Sequence, residues 1–242
     1  MTSAGAAVLE PRERLIVALD SPELAEAEAL VERLAGAVGM YKVGAQLFTA
    51  AGPAAVEMVK KRGGRVFLDL KFHDIPATVA GAVREAARLG VTLLTVHASG
   101  GTGMLGAAAE AAAAAGRERP RILAVTVLTS LDRLALQREL GVAASVEEHV
   151  GRLAGLARAT GCDGVVASPQ EAGTLRAVLG RDLLIVTPGI RPLGVRADDQ
   201  ARVATPAVAR RAGADYLVVG RPITDAADPA AAAAAIVAEI SR

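Results

Sequence analysis

Two textures alternate along this chain. Short runs dense in Val, Ile and Leu recur at 14–20 (RLIVALD), 40–45 (MYKVGA), 65–71 (RVFLDLK) and 91–98 (VTLLTVHA). Four more follow at 121–130 (RILAVTVLTS), 164–168 (GVVAS), 183–190 (LLIVTPGI) and 215–223 (DYLVVGRPI), which makes eight expected strands. Between them, segments such as SPELAEAEALVERLAG and IPATVAGAVREAARLG return apolar residues every three or four positions and end on Gly, the signature of amphipathic helices. Eight strand-helix units with no linker dividing them favour an α/β fold, a single-domain (β/α)8 TIM barrel over residues 14–242, against a doubly wound open sheet. Residues 1–13 stand apart as an N-terminal extension, expected to be disordered. The interval 131–161 is expected to hold one helix (SVEEHVGRLAGLARATG) and a partly helical connection. The polar segment 191–206, with its weak periodicity, is expected to be a long mobile loop after the seventh strand.

Composition fits this layout. Hydrophobic residues make up 52% of the chain, yet there is no Trp and only 3 Phe and 2 Tyr, so the core is built from aliphatic residues that suit buried parallel strands. Charge is balanced, 27 Lys and Arg against 26 Asp and Glu, which gives no concentrated basic face for nucleic acid. A single cysteine, Cys162, excludes an intramolecular disulfide and a cysteine-cluster metal site; it is expected as a small core residue. No secretory pattern opens the chain, and the alanine tract at 107–115 is too short to span a bilayer, so a soluble, cytoplasmic protein is expected.

The chemistry concentrates where a barrel puts it, at the C-terminal ends of strands. Asp20, Asp69, Lys71, His97, Thr129, Ser130, Arg191 and Arg221 fall at or just after strand ends, and Lys42 sits within the second strand; all converge on one face. In FLDLKFHDIPAT (67–78), Asp69 and Lys71 are two residues apart and share one strand face, with Leu68 and Leu70 on the other. The leucines suit the helix layer, so the two charges point into the barrel mouth. A buried salt bridge that fixes register is the plain alternative, although desolvation makes such a pair a poor source of stability. Flanked by carboxylates, Lys71 is expected as an ammonium, suited to donating a proton and unsuited to Schiff-base attack. TPGIRP (187–192) and VVGRPIT (218–224) each place Gly beside Arg after strands seven and eight, the recurrent phosphate position of this fold. The histidines His73, His97 and His149 show no metal-ligand spacing; His149 is expected on an exposed, charged helix face, and His97 as a structural residue near the site.

The stretches LIVALD, YKVG, FLDLKFHDIPATV, VHASGG, VTVLTS, TPGIRP, DDQARVATP and VVGRPIT resemble, in that order, the bacterial orotidine 5'-phosphate decarboxylases, over residues 14 to 240. The resemblance implies cofactor-free conversion of orotidine 5'-monophosphate to UMP and CO2 in pyrimidine biosynthesis, by a homodimer with shared active sites. It implies Lys71 as proton donor to carbon 6, Asp69 beside the substrate carboxylate, and Asp74 reaching into the neighbouring subunit's site. It further implies substrate contacts from Asp20, Lys42, Ile75, Thr78 and Thr129, and a phosphate grip by Arg191, Gln200, Gly220 and Arg221. A metal-dependent phosphosugar barrel such as a hexulose-phosphate synthase, and a nucleotide-binding barrel without activity, remain open alternatives.

Overall fold

The structure is a computed structural model that describes residues 9–192 and 204–241. Eight parallel strands close into a barrel in sequence order. They are β1 (Leu15–Leu19), β2 (Met40–Gly44), β3 (Arg65–Phe72), β4 (Leu93–His97), β5 (Arg121–Val125), β6 (Gly164–Val166), β7 (Leu184–Thr187) and β8 (Tyr216–Val219). All eight expected strands are present, most of them shorter than their apolar runs. At β5 the chain leaves the sheet after Val125, where the Thr126 amide and hydroxyl both donate to the Val166 carbonyl. Thr129 and Ser130 therefore sit on the following loop and do not close the strand.

Strand alternation builds two apolar layers. Ile16, Ala18, Met40, Phe67, Leu93, Leu123, Val186, Tyr216 and Val218 fill the barrel interior. Their neighbours Val17, Val43, Leu68, Leu94, Val96, Ile185 and Leu217 face the helices. Among these helices, those at Val146–Ala159 and Pro169–Leu179 open on capping boxes, Ser145 with Glu148 and Ser168 with Glu171. Between β2 and β3 lie two helices, Ala45–Ala51 and Pro53–Lys61, divided at Gly52, whose φ of 58° ends one as Pro53 begins the next. The connection after β5 contains the short helix Arg133–Arg138, in line with its expected partial helicity.

Two further expectations need correcting. Of the segment set apart as an extension, residues 9–13 are folded: Leu9 packs against the interior cluster and Pro11–Arg14 form a 3-10 turn that pairs Glu13 with Arg65. His149 is buried, only 8% exposed, because its helix turns that position toward the core beside Val150 and Leu153, with Nδ1 3.0 Å from the Arg152 guanidinium. The charged neighbours Glu147 and Glu148 lie on the other side of the same helix. Cys162 is buried as expected, and burial pushes its thiol up to about 11.

The N-terminal end of the barrel is fastened by two aspartates in matching positions. Asp163, just before β6, accepts from the Ile122 amide at 2.8 Å and binds Arg119 through both oxygens. Asp215, just before β8, accepts from the Ile185 amide at 2.8 Å and from Arg176 at 2.6 Å. Each carboxylate joins its own strand to the neighbour and anchors an arginine, on the face where a barrel keeps stability and not chemistry. Replacing Asp163 by Ala removes the Ile122 amide's carboxylate acceptor and the Arg119 ion pair. Calorimetry of Asp163→Ala should show a loss of about 1–3 kcal/mol, a fall in melting temperature of roughly 2–10 °C, with activity per folded molecule unchanged.

Candidate active site

At the opposite end, a cavity of about 300 Å³ opens at the C-terminal mouth of the barrel. Its lining brings together Asp20, Lys42, Asp69, Lys71, Thr129, Arg191, Gly220 and Arg221, eight of the residues singled out in the sequence, from six strands and their loops. Apolar walls come from Ala18, Phe67, Val125, Val127, Val166 and Val218. The site is thus an apolar bowl with charged groups held at defined points on its rim, the usual composition of a small-molecule pocket.

Two ion pairs organise one side. Lys42 Nζ donates to Asp20 Oδ1 at 2.7 Å, with the lysine largely covered and the aspartate mostly open to solvent. The residue two beyond Lys42 is Gly44, where a Cβ would sit 2.8 Å from Lys42 Nζ, so a side chain there would push the lysine tip from its present position. The second pair is Lys71 Nζ with Asp69 Oδ2, 2.8 Å apart, the carboxylate 13% exposed and the lysine 35%. It is the pair expected from the i, i+2 spacing, although its local structure is not a regular strand. β3 and β4 pair at Phe67↔Leu93 and Leu68↔Leu94 and next at Phe72↔Val96, so β3 takes four steps where β4 takes two. Within this bulge Lys71 has φ 51°, the only positive φ outside glycine among the described residues. A left-handed lysine costs of order 1–3 kcal/mol and persists only where its surroundings hold it.

Those surroundings include Thr95, which was not singled out in the sequence. It is fully buried, its hydroxyl accepts from the Lys71 backbone amide at 2.9 Å, and it donates to Asp69 Oδ1 at 3.0 Å. The signal lay in the alternation of β4: Leu93 faces the interior, and Thr95 and His97 share its side, so the one hydroxyl of β4 aims at the charged rim.

His97 itself is half-buried at the end of β4, its ring centroid 5.3 Å from that of His73. Burial lowers its pKa below the usual 6.5, and the nearby His73 and Lys71 lower it further against the opposing pull of Asp69. Such a group is neutral in the folded chain, so its share of stability is complete above pH 6.5 and is lost as pH falls below that value, where the unfolded chain binds the proton first.

The phosphate candidates follow β7 and β8. After β7 the chain is drawn in by the pairing of Ile190 with Ala204: Arg191 N donates to Ala204 O at 2.9 Å, and Arg191 is buried to 8% exposure. After β8, Gly220 leads into the short helix Arg221–Thr224. Gln200 and most of the segment 191–206 lie outside the described residues. Asp74, Ile75 and Thr78 are not brought to this cavity; they lie on the exposed start of the helix Pro76–Arg88, with Ile75 67% exposed.

Fold and site together are those of a (β/α)8 enzyme, with Arg191 and Arg221 after strands seven and eight and a lysine-carboxylate centre at strand three. The chain matches the family described as orotidine 5'-phosphate decarboxylase / HUMPS across residues 13–236. It is 61% identical over 236 residues to the orotidine 5'-phosphate decarboxylase of Moorella thermoacetica, covering 96% of this chain and 94% of that one. It is 57% identical over 233 residues to the enzyme of the same name from Geobacter sulfurreducens, covering 96% and 97%. The crystal structure of orotidine 5'-phosphate decarboxylase from Lactobacillus acidophilus superposes with a TM-score of 0.86 at 39% identity, over 95% of this chain and 100% of that one. The chain belongs to the orotidine 5'-phosphate decarboxylase / HUMPS family.

The charge arrangement is open to a direct check. Nuclear magnetic resonance titration of the imidazoles should place His97 below 6.5, and Lys71→Met, which removes one cation and leaves Asp69 unopposed, should move that midpoint upward. An unmoved midpoint would mean that Lys71 and His97 do not share a field.

Proposed function

We propose that this protein is an orotidine 5'-phosphate decarboxylase, converting orotidine 5'-monophosphate to UMP and CO2 for pyrimidine biosynthesis in the cytoplasm, with no cofactor. The observation that carries the reading is Lys71 Nζ, held 2.8 Å from Asp69 on the wall of a cavity whose rim also carries Arg191 and Arg221.

The chemistry sets a clear demand. As the bond between carbon 6 and the carboxylate breaks, CO2 leaves and its bonding electrons stay on carbon 6, with no adjacent carbonyl to spread them. A fixed ammonium meets both needs, stabilising the developing charge and supplying the proton that fills the new lone pair. Lys71 gives up that proton and is left neutral until solvent restores it. Asp69 holds Lys71 in place and sits beside the departing carboxylate. Asp20 and Lys42 hold the ribose hydroxyls, Thr129 the base, and Arg191, Gly220, Arg221 and Gln200 the phosphate. Gripping the phosphate far from the reacting carbon lets binding energy orient the ring against Lys71.

Asp74, Ile75 and Thr78 find their role in a homodimer, in which each chain's exposed 74–78 segment completes its partner's site. A two-thirds exposed isoleucine next to an aspartate whose side chain, among the described residues, accepts only its neighbour's amide supports that assignment, since neither residue lines its own cavity.

Ultraviolet absorbance should fall as orotidine 5'-monophosphate is consumed, equally with and without a chelator, and Lys71→Ala should lose at least about 10²–10⁴-fold in turnover. Chelator-sensitive turnover would point to a metal-dependent relative, and a near-normal Lys71→Ala rate would remove Lys71 from the reaction. For the dimer, mixing Lys71→Ala with Asp74→Ala chains creates heterodimers with one intact site, and equal mixing should recover up to about a quarter of wild-type activity. No recovery after proven subunit exchange would show that the sites are not shared.

A further inference from the structure

We propose that Thr95 is a positioning residue for the reaction: its hydroxyl holds the bulge of β3 in the one backbone geometry that presents Lys71 Nζ to the substrate. The inference rests on the reading of Lys71 as the proton donor.

A bulge leaves an extra residue out of the sheet ladder and needs another partner for its amide. Here the Lys71 amide donates to Thr95 Oγ1 at 2.9 Å, while the same oxygen donates its own proton to Asp69 Oδ1 at 3.0 Å. Asp69 Oδ2 in turn accepts from Lys71 Nζ at 2.8 Å. One hydroxyl therefore closes a ring that grips Lys71 at its backbone and, through the carboxylate, at its tip. Thr95 is 0% exposed, so water cannot take over either bond.

The direction of the hydrogen bonds makes the threonine specific. Because the Lys71 amide is a donor and the Asp69 carboxylate an acceptor, the bridging atom must accept from one and donate to the other, which a hydroxyl does and a hydrocarbon cannot. Without it, Asp69 Oδ1 and the Lys71 amide both lose a buried partner. Lys71 then has no reason to stay at φ 51°, a conformation a lysine otherwise avoids. Relaxation of that dihedral swings the side chain off the substrate while leaving the arginines and the Asp20–Lys42 pair undisturbed. The effect should fall on the chemical step and spare substrate binding.

Thr95→Val keeps the shape and deletes the hydroxyl; Thr95→Ser keeps the hydroxyl and deletes a methyl. The expected result is a fall of about 10–100-fold in kcat for Thr95→Val with KM within about threefold of wild type, since a displacement of about 1 Å costs on the order of 10²-fold. Thr95→Ser should stay within about threefold in both constants. A kcat for Thr95→Val within twofold of wild type, or a Thr95→Ser enzyme as impaired as Thr95→Val, would overturn the proposal. If Thr95→Val does not fold, Thr95→Cys replaces it: its longer, weaker hydrogen bonds should give a kcat below that of Thr95→Ser, and equality of the two would count against the role. A crystal structure of the variant decides the geometry independently of activity. Lys71 should leave the left-handed region and Nζ should move out of hydrogen-bond range of Asp69, and an unchanged pair would refute the positioning role. Wild-type enzyme inactive on orotidine 5'-monophosphate would refute the reading of Lys71 instead, with the crystallographic result for Thr95 still standing.

Discussion

The ion pair between Asp69 and Lys71 is the contact on which the site depends. A carboxylate 13% exposed and a partly buried ammonium 2.8 Å apart are costly to desolvate, and such pairs contribute little net stability. The pair also sits on a strained residue, because Lys71 takes a left-handed conformation inside a bulge. A fold that accepts both costs at one point has a use for the result: a charged group set rigidly at the wall of a pocket that also has apolar sides. In that setting its field on a bound molecule is stronger than in water, and it needs no reorganisation at the moment of reaction.

The rest of the barrel divides its labour around that point. The N-terminal end is closed by Leu9 and the turn Pro11–Arg14 and tied by Asp163 and Asp215, each bridging neighbouring strands and securing an arginine. Nine interior side chains make the middle solid. Among the described residues the C-terminal end alone is open, and there the Asp20–Lys42 and Asp69–Lys71 pairs, Arg191 and Arg221 line a common space. Rigidity below lets the mouth hold its strained lysine without the strands giving way.

Much of this was legible in the amino-acid order. Eight apolar runs separated by helix-period segments led to the closed barrel, and the polar residues at their ends led to eight of the cavity-lining residues, because alternation and strand-end placement are local properties. What stayed hidden depends on distant partners. The i, i+2 spacing correctly put Asp69 and Lys71 together, but a regular strand does not announce a bulge; that arises from mismatched pairing with β4. Thr95 looked like one more strand residue until its hydroxyl was seen between the amide and the carboxylate. His149 read as exposed because its immediate neighbours are charged, whereas burial follows the helix face and not the flanking residues. Residues 9–13 carry too little pattern to show that Leu9 would seat under the barrel. Asp74, Ile75 and Thr78 stand apart from their own cavity, and a single chain gives no view of what they meet.

The most direct test of the central claim follows the proton. By microscopic reversibility, the group that protonates carbon 6 also removes that proton from the product. UMP incubated with the enzyme in deuterium oxide should slowly exchange its carbon 6 hydrogen, followed by nuclear magnetic resonance, and Lys71→Ala should not catalyse the exchange. Exchange at the wild-type rate in Lys71→Ala would show that another group handles the proton and that the ion pair has a different purpose.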